Sequence, residues 1–107
     1  MAERSLQDTH NFIVKAAQHN GWKPNPDTEF VATIAAGLTT NVNRHGYYLC
    51  PCRDGDGDRK LDKDIVCPCV YAAPDIDQYG QCFCGLFVST DHQGPVRQIP
   101  ERRPNSL

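Results

Sequence analysis

With 107 residues the chain has room for one domain and a modest core, so a bound group would add materially to its stability. A net charge of -2, from 11 basic and 13 acidic side chains, argues against non-specific binding to nucleic acid or to an acidic membrane surface, which needs a basic excess. No apolar run approaches the roughly 20 residues that cross a bilayer.

The first residues, Met1-Ala2-Glu3-Arg4-Ser5, lack the apolar stretch of a secretory signal. The chain is therefore expected in a reducing cytoplasm, or inside an organelle if a transit peptide has been removed. Ser5 is placed as an N-cap, followed by Leu6, Thr9, Phe12, Ile13, Ala16 and Ala17 at helical spacing, with Gly21 as the stop. Trp22-Lys23-Pro24-Asn25-Pro26 reads as a linker, because its prolines remove backbone donors. Asp27 or Thr28 opens a second helix with the stripe Phe30, Val31, Ile34, Ala35, Leu38 and Val42, ending near Arg44 with Gly46 as its terminal glycine. These two amphipathic helices are expected to pack together and carry much of the core. The histidines His10, His19, His45 and His92 are scattered, and only His45 is close in sequence to the region that follows.

From Tyr47 the character changes. All six cysteines fall into three pairs of one format, Cys50-Pro51-Cys52, Cys67-Pro68-Cys69 and Cys82-Phe83-Cys84. Between the first two pairs lies Asp54-Gly55-Asp56-Gly57-Asp58, which resembles the start of a calcium loop. The match fails, because Arg59 stands where the sharp turn needs Gly and Ile65 where the bidentate Glu belongs. A solvated turn is the better reading, followed by a short helical turn over Lys60–Asp64. Val70-Tyr71-Ala72-Ala73 continues, with Pro74 expected to stop it, and Asp75–Gln81 returns the chain to the third pair. Gly85-Leu86-Phe87-Val88 buries an apolar segment beside the site. Residues 1–90 make the domain; residues 91–107 form a polar tail rich in proline (Pro95, Pro100, Pro104) and arginine (Arg97, Arg102, Arg103), expected to wrap the surface or to be partly disordered.

Two cysteines one residue apart do not readily bond to each other, because the small ring strains the disulfide. Each pair should then send its sulfurs to different partners. Structural zinc takes four thiolates but usually at wider spacing; a cubane iron–sulfur cluster also takes four and accepts more varied spacing. Four from six leaves two, so a cluster beside a dithiol or disulfide accounts for every cysteine and a single zinc site does not. Three readings stay open at this point: a redox enzyme, a zinc-binding structural module, and an iron–sulfur relay or redox sensor. Pro51 and Pro68 hold φ near -65° and make each of their pairs a stiff corner.

Cys50-Pro51-Cys52-Arg53, Val66-Cys67-Pro68-Cys69-Val70 and Cys82-Phe83-Cys84 with Leu86-Phe87 resemble the catalytic chain of ferredoxin–thioredoxin reductase. The Gly46-Tyr47-x-Leu49 lead-in and Gly37-Leu38 near the end of the second helix are similar too, and the likeness covers roughly residues 6 to 90. The resemblance implies a small, mainly α domain, with two N-terminal helices and shorter helices and loops wrapped around one [4Fe-4S] cluster. It implies that Cys50, Cys67, Cys69 and Cys82 ligate the cluster and that Cys52 and Cys84 form the active disulfide. Cys52 would be the outer thiol that attacks the target, and Cys84 the inner one beside the cluster. The implied partners are ferredoxin or a similar one-electron donor, thioredoxin or a thioredoxin-like protein, and a second, variable-type subunit. Lys60, Lys63, Arg53, Arg59 or the tail arginines could form the patch that meets an acidic donor.

Two departures stand out. Plant-type members carry His at the middle of the third pair, where this chain has Phe83, which can act as neither acid nor base. Proton delivery then falls to Tyr79, His45, Asp75 or water. The spacing is also shorter between the first two pairs and longer before the third, which looks more like a bacterial or archaeal branch.

Overall fold

A computed structural model describes residues 3–52, 55–92 and 94–102; Met1, Ala2, Arg53, Asp54, Arg103 and Pro104, named above, lie outside them. The described residues form four α-helices and one two-stranded sheet. Helix α1 spans Leu6–Asn20. The Ser5 hydroxyl accepts from the Asp8 amide at 3.0 Å and the Asp8 carboxylate accepts from the Ser5 amide at 3.0 Å. This reciprocal cap satisfies two of the helix's unpaired donors, and the bond from the Ser5 backbone holds the Asp8 carboxyl below its ordinary value. Helix α2 spans Thr28–His45, capped by the Asp27 carboxylate at its start and closed by Gly46, whose φ of 85° lies in the left-handed region.

The predicted stripes meet. Ile13 and Ala17 of α1 share a core with Val31, Ile34, Ala35 and Leu38 of α2, while Val42 stays half-buried. A small polar contact crosses the pair: the Thr9 and Thr39 hydroxyls are 2.6 Å apart, and Thr9 donates to the Tyr48 phenol at 3.3 Å. The same core takes in Cys67, Cys82, Ala72, Ile76, Leu86 and Phe87, so two of the cysteines back directly onto the helix pair. Burial of this apolar surface is the main stabilising term available to a domain of this size.

Two expectations need correction. The Trp22–Pro26 linker contains strand β1 (Lys23–Pro24), which pairs antiparallel with β2 (Phe87–Val88), Lys23 opposite Val88 and Pro24 opposite Phe87. In a two-stranded sheet every strand is an edge, so a proline without a donor is tolerated. Pro74 does not end a helix either: α4 spans Ala72–Tyr79 and holds Pro74 within its first turn, where the amide has no intrahelical partner to lose. Helix α3 spans Arg59–Asp62 and passes into a turn of 3₁₀ helix, Lys63–Ile65, as the short helical turn was placed.

The loop before α3 is organised by one buried carboxylate. Asp62 accepts from the Asp56 amide at 2.9 Å, the Gly57 amide at 3.0 Å and the Tyr47 phenol at 2.6 Å. Burial first, and the bond to Asp62 next, push the Tyr47 phenol up to about 12. Residues 94–102 lie along the domain: Ile99 is buried, and Arg102 reaches the carboxylate of Asp75 at 2.8 Å. Among the described residues no helix is long and apolar enough to cross a membrane.

Candidate active site at the cysteine pairs

The first two pairs share one local device and the third has its own. The first two sit side by side on a minimal antiparallel ladder in which Leu49 faces Val66. Its bonds flank the site: the Cys50 amide donates to Ile65 O at 3.0 Å and the Cys67 amide to Tyr48 O at 2.7 Å. Helix α2 grips the first pair as well. The Asn41 amide donates to Leu49 O at 2.8 Å, and Pro51 packs against Gly37, where a Cβ would stand 3.0 Å from the proline's own. The Cys67–Pro68 peptide is cis, and the second pair leads into α4 through a bond from the Ala72 amide to Cys69 O at 3.0 Å.

The third pair is a tight corner ahead of β2. The Cys82 amide donates to Phe87 O at 2.9 Å and the Gly85 amide to Cys82 O at 2.9 Å. The Phe87 amide donates to the Cys82 sulfur itself at 3.3 Å. Cys82 Sγ and Cys84 Sγ are 3.7 Å apart.

The three corners converge. Cys50, Cys67, Cys69, Cys82 and Cys84 line one cavity with Pro68, Ala72, Phe83 and Phe87. Cys52 is exposed at its margin, yet its thiol is hydrogen-bonded to those of Cys50 and Cys84. The Cys84 thiol is pushed up by hydrogen bonds to Cys50, Cys52 and Cys82, then by burial. Cys50 is pushed up to about 11, first by its bond with Cys52. Burial pushes the Cys67 thiol up, whereas bonding from Cys84 lowers Cys82.

The donor set suits an iron–sulfur cluster. Every polar side chain lining the cavity is a thiol, the walls are otherwise apolar, and the six cysteines exceed the four such a cluster uses. Ligation by iron would offset the burial that disfavours ionised sulfur. Among the described residues no three His, Cys, Asp or Glu side chains close around a point that a single metal ion could share.

The candidate proton donors are placed elsewhere. The cavity lining includes none of Tyr79, His45 and Asp75. The guanidinium of Arg97 lies 5.9 Å over the Tyr79 ring, His45 packs against Tyr47 at 5.8 Å, and Asp75 is fully buried with Arg102. Arg59 lies 5.7 Å over the Tyr47 ring and Arg102 is engaged by Asp75, whereas Lys60 and Lys63 are exposed.

A family model described as the ferredoxin thioredoxin reductase catalytic beta chain matches residues 1–103. The chain belongs to this family. A relative, the ferredoxin-thioredoxin reductase catalytic chain of Porphyra purpurea, is 27% identical over 92 residues, which cover 83% of this chain and 74% of the relative. The family is one of oxidoreductases, and its matched span takes in all six cysteines and the strand that follows them.

Sequence reasoning missed two side chains that hold the third cysteine pair. Asn25, between the two prolines of the former linker, donates from its side chain to Gly85 O at 2.9 Å and from its amide to Leu86 O at 2.8 Å. Gln81, 1% exposed, fixes the residue before Cys82 through two bonds to the backbone of Arg97. Neither carries a periodicity or motif. The available signal was a polar residue set tightly between prolines or directly against a cysteine.

Proposed function

We propose that this chain is an iron–sulfur disulfide reductase. In this reading it takes single electrons from ferredoxin or a similar donor and reduces the disulfide of thioredoxin or a thioredoxin-like protein. The observation that carries it is the convergence of five cysteines from all three pairs on one apolar cavity, with Cys52 bonded to its rim, in a chain of this family. Cys50, Cys67, Cys69 and Cys82 would hold a [4Fe-4S] cluster, two of them set in the core of the helix pair. When bound, the cluster supplies one-electron storage next to a couple that needs two.

The remaining cysteines divide the disulfide chemistry by exposure. Cys52 is exposed, so its thiolate reaches a protein disulfide; attack on one target sulfur forms a mixed disulfide and releases the other target sulfur as a thiolate. Cys84, hydrogen-bonded to Cys52 and screened by the cavity walls, then attacks the Cys52 sulfur of the mixed disulfide. The target sulfur held in the mixed disulfide leaves, is protonated to a thiol, and the Cys52–Cys84 disulfide forms. Two electrons have passed from the dithiol to the target, and two electrons delivered singly by the donor restore it. Water supplies the protons, since Phe83 lines the cavity where an acid or base could stand. The second subunit implied by the words catalytic chain belongs to this reading, as does a cytoplasmic setting.

Anaerobically purified protein is expected to be brown, with iron and sulfide each near four per chain. Four cysteines should resist alkylation and two should cycle with reduction. Cys84→Ser should leave Cys52 holding a thioredoxin-like protein in a stable mixed disulfide, and Cys52→Ser should trap nothing. A colourless preparation with one zinc per chain would sink the cluster assignment. Reduced, loaded protein that never reduces a thioredoxin or glutaredoxin would leave only the electron-relay reading.

A further inference from the structure

The third pair is held from both flanks by the segment that follows β2. Immediately before it, the buried Gln81 side chain behaves as a short piece of strand: its Oε1 accepts from the Arg97 amide at 2.8 Å and its Nε2 donates to Arg97 O at 2.8 Å. Immediately after it, Gly85 has φ of 78°, and the methyls and Cβ of Val96 stand 3.0 to 3.2 Å from where a Cβ would be. Further along, Ile99 is buried at 4% exposure, and Arg102 binds the Asp75 carboxylate and the Gln78 side chain on α4. Neighbouring residues of one segment thus touch the residue before Cys82 and the residue after Cys84. The Gln81 amide is buried with both its ends bonded, so breaking the pair is costly because the Gln81 side would be left without a substitute.

We propose that residues 94–102 are a strap that positions the third cysteine pair, with Gln81 and Val96 as its positioning residues. The strap fixes the corner whose sulfurs lie 3.7 Å apart and keeps Cys84 beside Cys50 and Cys52. The first two pairs share their own ladder, the first is gripped by α2 as well, and neither needs it. Release of the strap therefore opens one corner of the site and leaves two in place. The naming of Cys84 as a reactive thiol rests on the proposed function; the mechanical claim does not.

The test is alkylation of each cysteine, followed by mass spectrometry, in full-length wild type, Gln81→Met and Val96→Ala, with iron, sulfide and melting temperature measured on the same samples. Gln81→Met keeps the volume and removes both bonds, and Val96→Ala is a milder release that covers the case in which Gln81→Met fails to fold. Labelling of Cys82 and Cys84 should rise by about tenfold or more over wild type, the scale set by losing one or two buried hydrogen bonds. Cys50, Cys67 and Cys69 should be labelled later and less than Cys82 and Cys84, and the visible spectrum of the loaded protein should change. Unchanged rates at Cys82 and Cys84, or a uniform rise at all six cysteines, would overturn the strap. Wild type that carries no iron or sulfide counts against the proposed function alone, because the labelling ratio between the pairs still reads the strap.

Discussion

Asp62 does more for this fold than its place in a polar loop suggests. It is fully buried and accepts from two backbone amides and a phenol, so it turns the Gly/Asp stretch into a closed loop leaning on Tyr47. Asp62→Ala should cost about 2–4 kcal/mol, because three donors lose a buried acceptor together; urea unfolding reads this, and an unchanged midpoint contradicts it. Tyr47 gives a pH signature of opposite sign to a carboxylate. Its folded value is raised from 10.0 to about 12, so the folded state holds the phenolic proton more tightly than the unfolded chain does. That stabilisation is complete below pH 10 and is lost as pH rises through the interval to about 12. Wild type should therefore lose stability over this window relative to Tyr47→Phe, measured as melting temperature against pH.

At the scale of elements, α2 is both half of the core and the wall against which the first pair rests. Gly37→Ala sets two effects against each other. Alanine favours the helix by about 1 kcal/mol, but its Cβ would stand 3.0 Å from Pro51 Cβ, and Pro51 is a rigid ring between Cys50 and Cys52. The neighbours of that ring are pinned at Leu49 O and at the Cys50 amide, so the corner yields little. The variant should melt within a few degrees of wild type while retaining less iron and alkylating differently at Cys52. Wild-type iron content would show that the close packing does not set the corner. Helices α1 and α2 were legible because capping residues, apolar spacing and terminal glycines all agreed. Helix α4 was not, because Pro74 reads as a stop unless its place in the first turn is known. Strands β1 and β2 have two residues each, too short for any alternation to register. The grouping of the cysteines was legible from their spacing; the bonds from Asn25 and Gln81 that hold the third corner were not, since both depend on partners brought by tertiary structure.

The whole molecule divides unevenly. The helix pair has its own caps and supplies half of the one main apolar core, whereas the region from Tyr47 to Phe87 adds its share of that core and is otherwise held by short ladders, single buried polar groups and the converging cysteines. Under the proposed assignment, a bound cluster contributes folding energy mainly to the second part. Chelation of iron from the loaded protein should raise amide hydrogen exchange first across residues 47–87, with the centres of α1 and α2 still protected; uniform loss of protection would mean that the two parts unfold as one.

The ladder between Leu49 and Val66 also bears on how such a site could come together. It joins the first two pairs by closing one short stretch of chain. The third pair depends instead on Asn25 meeting Gly85, partners 60 residues apart, and on Arg97, which leaves the ribosome later still. Closure entropy grows with loop length, so the short closure comes at lower cost and earlier. Three of the four proposed ligands, Cys50, Cys67 and Cys69, are gathered by that first closure. A nascent chain would then present an open half-cup of sulfur before its last turn of backbone exists, and the fourth ligand would arrive as the latch.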